Sequence, residues 1–147
     1  MRSDTIAIAS DHGGYELKSG LIKDIEARGL AVIDLGTDSP DSVDYPDFAD
    51  AMARTIRDGK AARGILLCGS GIGISIAANR HPEVRAALVH DALTARLARQ
   101  HNDANVLVMG GRLVGPELAA DCLDVFLKTE FEGGRHARRV AKMSRCG

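Results

Sequence analysis

Short apolar runs alternate along the chain with longer segments in which apolar residues recur at every third or fourth position. Residues 5–9 form an apolar run of strand length, closed by the polar turn Ser10-Asp11-His12-Gly13-Gly14. Leu17, Leu21, Ile22 and Ile25 then share one face of a helix that Gly29 ends. Residues 31–33 predict a second strand, followed by an acidic loop from Asp34 to Asp44. Pro46 suits the first residue of a helix whose inner face is Phe48, Ala49, Met52, Ala53 and Ile56. Residues 65–68 are a third strand and 71–79 a short helix after it. Residues 86–89 and 106–109 add two strands, with a helix over about 92–100 between them. From Pro116 a long helix turns Leu118, Cys122, Val125 and Phe126 inward, and residues 132–144 predict a final basic helix.

This alternation predicts the α/β class. The expected architecture is a single-domain, three-layer α/β/α sandwich over residues 1–147. Its centre is a Rossmann-like five-stranded parallel sheet covered on both faces, with a C-terminal basic helix. At 147 residues the chain is long enough for a full core without covalent staples. Ligands of such sheets bind outside the carboxyl ends of the strands.

Composition removes several function classes. A net charge of −1, 3% aromatic residues and no tryptophan argue against a nucleic-acid-binding surface. The three cysteines, Cys68, Cys122 and Cys146, are widely spaced and odd in number. They fit a reducing cytoplasm better than a disulfide framework, and no zinc-type cysteine pair occurs. The N-terminus runs directly into a strand, which leaves no room for a signal peptide, and no run is apolar and long enough for a membrane span. The expectation is a soluble cytoplasmic protein.

The most informative stretch runs from Gly64 to Asn79. An apolar strand ends in Cys68, and glycines at 69, 71 and 73 follow, opening a helix. Such a turn lets backbone approach a ligand and directs N–H groups inward. A helix N-terminus there favours an anion and a lowered thiol pKa at Cys68. An unperturbed thiol, with a pKa of ~8.5, is only about 3% thiolate at neutral pH. The dinucleotide fingerprint fails because Ile74 stands where its third glycine belongs. A Walker-type loop lacks its lysine, and a cysteine-phosphatase loop lacks its arginine, again at Ile74. A buried structural cysteine before a tight turn is the plain alternative.

The strand-end rule gathers Asp11 and His12, Cys68 and Ser70, His90 and Asp91, and Arg112 onto one edge. Each has an ordinary reading too. Asp11 suits a helix cap, His101 a solvated helix end, and His81 a surface turn before Pro82. The aspartates between 34 and 58 lack the pattern of a calcium loop. The tail carries Lys128, Arg135, Arg138, Arg139, Lys142 and Arg145 against Glu130 and Glu132, usually a solvated face. Arg135 and Arg139, four apart, nevertheless suit a phosphate fork.

The pieces Ser10-Asp11-His12-Gly13-Gly14, Asp44-Tyr45-Pro46, Leu67-Cys68-Gly69-Ser70-Gly71-Ile72-Gly73 and Ala77-Ala78-Asn79-Arg80 occur in that order. They are followed by Arg99-Gln100-His101-Asn102-Asp103-Ala104-Asn105, Gly111-Arg112 and Phe131-Glu132-Gly133-Gly134-Arg135-His136. Together they span nearly the whole chain, which resembles the ribose-5-phosphate isomerase B family, with its allose- and galactose-6-phosphate isomerases.

The resemblance implies a metal-free, cofactor-free aldose–ketose isomerisation through an enediolate. It implies Cys68 as the base that moves a proton between C2 and C1. Ser70 and the Gly69, Gly71 and Gly73 turn match the anion hole. Many relatives carry threonine at the Ser70 position. One branch uses a glutamate where this chain has Ile74, which leaves the base role to Cys68. His101 matches the group that opens the sugar ring, with Asp11, Tyr45 and Asn102 near ring oxygens and hydroxyls. His12, Arg112, Arg135 and Arg139 match the phosphate grip, helped by His136. It further implies a homodimer, or dimer of dimers, whose sites are shared between subunits. Val140 and Met143 on one face of the last helix suit packing across a partner. A non-catalytic sugar-phosphate regulator is the alternative, although it would need neither Cys68 nor His101. A thiol redox protein would need a second cysteine near Cys68.

Overall fold

The computed structural model describes residues 4–144; residues 1–3 and 145–147, Arg145 and Cys146 among them, lie outside them. The elements run β1 (Thr5–Ser10), a 3-10 turn (His12–Gly14), α1 (Tyr15–Ala27), β2 (Ala31–Asp34), α2 (Tyr45–Arg57) and β3 (Arg63–Cys68). They continue with α3 (Ile72–Ala78), β4 (Ala86–Leu88), α4 (Ala92–Asn102), β5 (Val106–Gly110), α5 (Pro116–Lys128) and α6 (Arg135–Met143). The five strands form one sheet in the order β2-β1-β3-β5-β4, and every neighbouring pair is parallel.

Side chains alternate across the pleat, so each strand feeds two cores. Ile6, Ile8, Ile65, Leu67, Leu107 and Met109 face one way, onto Leu21, Ile25, Ala95, Leu123 and Phe126 of α1, α4 and α5. Ala7, Ala9, Leu66, Cys68, Val106 and Val108 face the other, onto Ala49, Met52, Ala53, Ile74 and Ala78 of α2 and α3. The three layers expected from the sequence are present.

Two details differ from the sequence expectation. Leu118 is 37% exposed; the inward stripe of α5 is Ala119, Cys122, Leu123 and Phe126. At 100° per residue Leu118 lies about 90° round from the centre of that stripe, on its flank. The last helix starts at Arg135 rather than 132. Gly133 and Gly134 adopt positive φ values of 70° and 55°, which no helical turn contains.

Two polar anchors fix the ends of the sheet. Lys18, 2% exposed, reaches out of α1 to Asp34 Oδ1 at 2.6 Å. The same oxygen accepts the Gly36 N–H, and Ser10 exchanges two 2.7 Å backbone bonds with Gly36 and Thr37. This ties the loop after β2 against the end of β1. At the opposite end, Arg99 donates to Asp103 Oδ1 (2.9 Å), the Ala104 carbonyl (2.7 Å) and the Thr129 carbonyl (3.1 Å). One planar guanidinium thereby joins the end of α4, the start of β5 and the chain leaving α5.

The Lys18 pair gives an asymmetric expectation. Asp34→Ala strands a buried ammonium and should lower unfolding stability by about 1–3 kcal/mol. Lys18→Met removes the charge with its need for a partner and should be far milder. Urea unfolding of both variants reads this; equal losses would contradict it.

Candidate active site

Strand register sets the site. Ser10 lies opposite Leu67 and Cys68 opposite Gly110, so β1, β3 and β5 end together and their three turns open on one edge. Those turns touch through glycines. A Cβ at Gly13 would lie 2.9 Å from Gly69, and one at Gly110 would lie 2.6 Å from the Ser70 backbone. Gly111 N–H donates to the Cys68 carbonyl (2.8 Å) and Arg112 N–H to the Gly69 carbonyl (2.9 Å). Gly71 has φ 80°, a left-handed conformation that lets the chain swing from strand into α3.

Cys68, 4% exposed, lies on the floor of the resulting cleft of about 600 Å³. Its Sγ accepts the Gly71 N–H at 3.2 Å. Ser70 Oγ accepts the Ile72 N–H at 3.2 Å, which leaves its own hydrogen free to donate. Asp11, 5% exposed, accepts the Gly13 N–H on Oδ1 at 2.9 Å. It is therefore the cap that its sequence context allows, and it also lines the cleft with its second oxygen available. The Tyr45 ring stands over Gly73, where a Cβ would come within 2.6 Å of the hydroxyl. The Arg112 guanidinium lies over Gly69, 3.2 Å from where a Cβ would be. His12 lines an adjoining hollow beside Asp11 and Tyr45. Its Nδ1 accepts the Val43 N–H at 3.2 Å, so the neutral ring carries its proton on Nε2.

This edge thus brings together Asp11, His12, Tyr45, Cys68, Gly69, Ser70, Gly71, Gly73 and Arg112. It does not bring in His101, Asn102, Arg135, His136 or Arg139. Helix α4 leaves the C-terminal end of β4 and returns to the N-terminal end of β5, which carries His101 and Asn102 to the opposite edge. A five-residue strand rising ~3.3 Å per residue puts roughly 15 Å between the two edges. The tail joins them there: Glu132 N–H donates to the Gln100 carbonyl at 3.0 Å, and His136 stacks on His101 with centroids 4.3 Å apart. His101 is not the lone solvated helix end that its position in the sequence allows.

The remaining candidates settle as structure. Asp91 caps α4 through the Thr94 N–H at 2.7 Å. His81 Nε2 lies 2.8 Å from Asp50, a half-buried pair rather than a free surface group. Cys122 is a core residue whose thiol is pushed up to about 11 by burial. Ile72, Ile76 and Leu113 also line the cleft, at 53%, 60% and 60% exposure, and pattern reading does not single them out. The usable signal was α3 itself, apolar on both faces: Ile74 and Ala78 face the core while Ile72 and Ile76 do not.

A model of the ribose/galactose isomerase family matches residues 6–143. Ribose-5-phosphate isomerase B of Escherichia coli is 46% identical over 135 residues, covering 92% of this chain and 91% of its own. D-erythrulose-4-phosphate isomerase of Pectobacterium atrosepticum is 43% identical over 140 residues, covering 95% and 92%. Among solved structures, the ribose 5-phosphate isomerase of Thermotoga maritima superposes with a TM-score of 0.96 at 50% identity, covering 99% of this chain and all of that one.

The His101–His136 stack has a titration signature. Burial, then the charges of Arg135, His101 and Arg139, hold the His136 imidazole below its ordinary value, against the opposing pull of Glu132. Because the folded value is the depressed one, its stabilising contribution is complete above the unfolded imidazole value of ~6.5 and fades as pH falls through the folded value. An NMR titration should place His136 below that reference; a midpoint at or above it would contradict the assignment.

Proposed function

The chain belongs to the ribose/galactose isomerase family, and on that footing we propose that it interconverts ribose 5-phosphate and ribulose 5-phosphate through an enediolate. The observation that carries the reading is Cys68. A thiol lies on the floor of an open cleft, with a backbone donor aimed at its sulfur and a guanidinium over the same turn.

A proton α to a carbonyl is weakly acidic, so the developing oxyanion must be met as the base removes it. Cys68 takes the C2 proton and returns it to C1. The Ser70 hydroxyl and the N–H groups of the Gly69–Gly73 turn receive the enediolate oxygens. The free oxygen of Asp11 and the Tyr45 hydroxyl orient sugar hydroxyls. His12, donating from Nε2, and Arg112 hold the phosphate, which fixes C1 and C2 over the thiol and turns remote binding energy into positioning. The proposed steps draw only on side chains and backbone.

The ring-opening role of His101, the hydroxyl contact of Asn102 and the phosphate contacts of Arg135, His136 and Arg139 then require a second chain. Their place at the far edge of the sheet supports a homodimer, or dimer of dimers, in which this edge of one chain completes the Cys68 cleft of its partner. Exposed Ile72, Ile76 and Leu113 around that cleft suit such a cover. The free cysteines Cys68 and Cys122 suit a reducing, cytoplasmic setting.

Cys68→Ala should lower kcat about 10²–10⁴-fold, the worth of a general base, while leaving KM within a few-fold. Ribose 5-phosphate, erythrulose 4-phosphate, allose 6-phosphate and galactose 6-phosphate should be assayed side by side. Wild-type turnover in the variant would remove Cys68 from the base role, and a preferred substrate other than ribose 5-phosphate would reassign the sugar.

Subunit sharing is tested by complementation. A Cys68→Ala chain mixed with an Arg139→Ala chain gives hybrids with one doubly damaged site and one intact site. Activity should return on mixing; no recovery despite demonstrated exchange, or a fully active monomer, would sink the shared site.

A further inference from the structure

Three side chains at the N-terminal edge of the sheet converge, and one of them, Glu132, has no part in the proposed isomerisation. The ligand atoms of His101, Glu132 and His136 all lie within 4.8 Å of one another. Among the described residues, no other three histidine, cysteine or acidic side chains form such a group. Each comes from a different piece of chain: the last turn of α4, the glycine turn before α6, and the first turn of α6. The backbone bond from Glu132 N–H to the Gln100 carbonyl locks two of these pieces together.

A second observation concerns His136 alone. Its Nε2 is enclosed, yet it has no hydrogen-bond partner. The Glu132 carboxylate faces it at 3.8 Å, too far for a hydrogen bond. Two ligands held at ~2.0–2.1 Å by one tetrahedral ion lie about 3.3 Å apart, close to this gap. Glu132 is exposed and can swing inward, whereas the two rings, stacked 12° from parallel at 4.3 Å, must turn out of the stack before their in-plane lone pairs meet at one ion.

We propose that His101, Glu132 and His136 form a binding site for a zinc-class divalent ion, and that its occupancy switches the enzyme off. Two imidazoles and one carboxylate select a borderline-soft transition metal over magnesium or calcium. Three protein ligands leave a fourth position for water or a phosphate oxygen. Arg135 and Arg139 oppose the ion's charge, and the Glu132 carboxylate offsets part of that repulsion. The bound ion occupies the lone pair that His101 needs to accept a proton, so it blocks rather than assists. Metal binding itself stands on geometry alone; the inhibition rests on the isomerase reading of the preceding section.

The two parts are tested separately. Metal-free Cys68→Ala protein is titrated with Co²⁺ and followed by its visible ligand-field spectrum, then displaced with Zn²⁺. One ion per chain should bind, and Glu132→Gln or His136→Asn should weaken it at least about tenfold. No saturable binding, or binding unaltered by these changes, overturns the site. In wild type, Zn²⁺ should inhibit turnover reversibly to EDTA. The Glu132→Gln enzyme, with basal activity within about twofold in EDTA, should need at least about tenfold more zinc. Equal sensitivity of the two enzymes would put the inhibiting ion elsewhere and overturn the switch. A protein without isomerase activity would still show the cobalt spectrum, so the two readings fail independently.

Discussion

The absence of side chains where three turns meet is the constraint on which the site depends. Gly13 against Gly69, and Gly110 against Ser70, leave no room for a single methyl group. Because β1, β3 and β5 end in register, their turns would otherwise hold one another apart. With glycine at the contacts, the backbones close up, and the Gly71 N–H meets the sulfur of Cys68 rather than solvent. The chemistry of the cleft is thus set by packing before any polar side chain contributes.

The same sheet separates the candidate groups into two populations. Strand ends deliver the thiol, the hydroxyl and one arginine to the upper edge. Helix α4, running back along the sheet, delivers an imidazole to the lower edge, and the tail adds another with its arginines. Arg99 organises this lower edge much as the glycines organise the upper one, through two backbone carbonyls and the Asp103 carboxylate rather than through a ligand. Both arrangements form within a single chain.

Much of this was legible in the sequence because its causes are local. The strand-then-glycine pattern at 64–73 announces a turn that admits a ligand, and Ile74 just after it is buried in the core. Alternating apolar runs announced the layers, and the five parallel strands with their helices match them. What stayed hidden depends on long-range geometry. Leu118 shares the period of its helix but falls on the flank of the stripe, a matter of phase rather than composition. Nothing local says that Glu132 would meet Gln100, or that His136 would stack on His101. Both contacts join segments some thirty residues apart.

The anchoring of the tail has one more consequence. Helix α6 is almost wholly exposed, with His136 its buried residue, and a helix of nine residues held only by its own hydrogen bonds would fray. Its root, however, is fixed by the Glu132 bond, the imidazole stack and the Arg99 contact with Thr129. The conformational entropy of ordering that basic segment is therefore settled when the chain folds, not when a ligand arrives. An anion meeting Arg135 meets a preorganised partner, and keeps more of the contact energy as affinity than it would against a free basic arm.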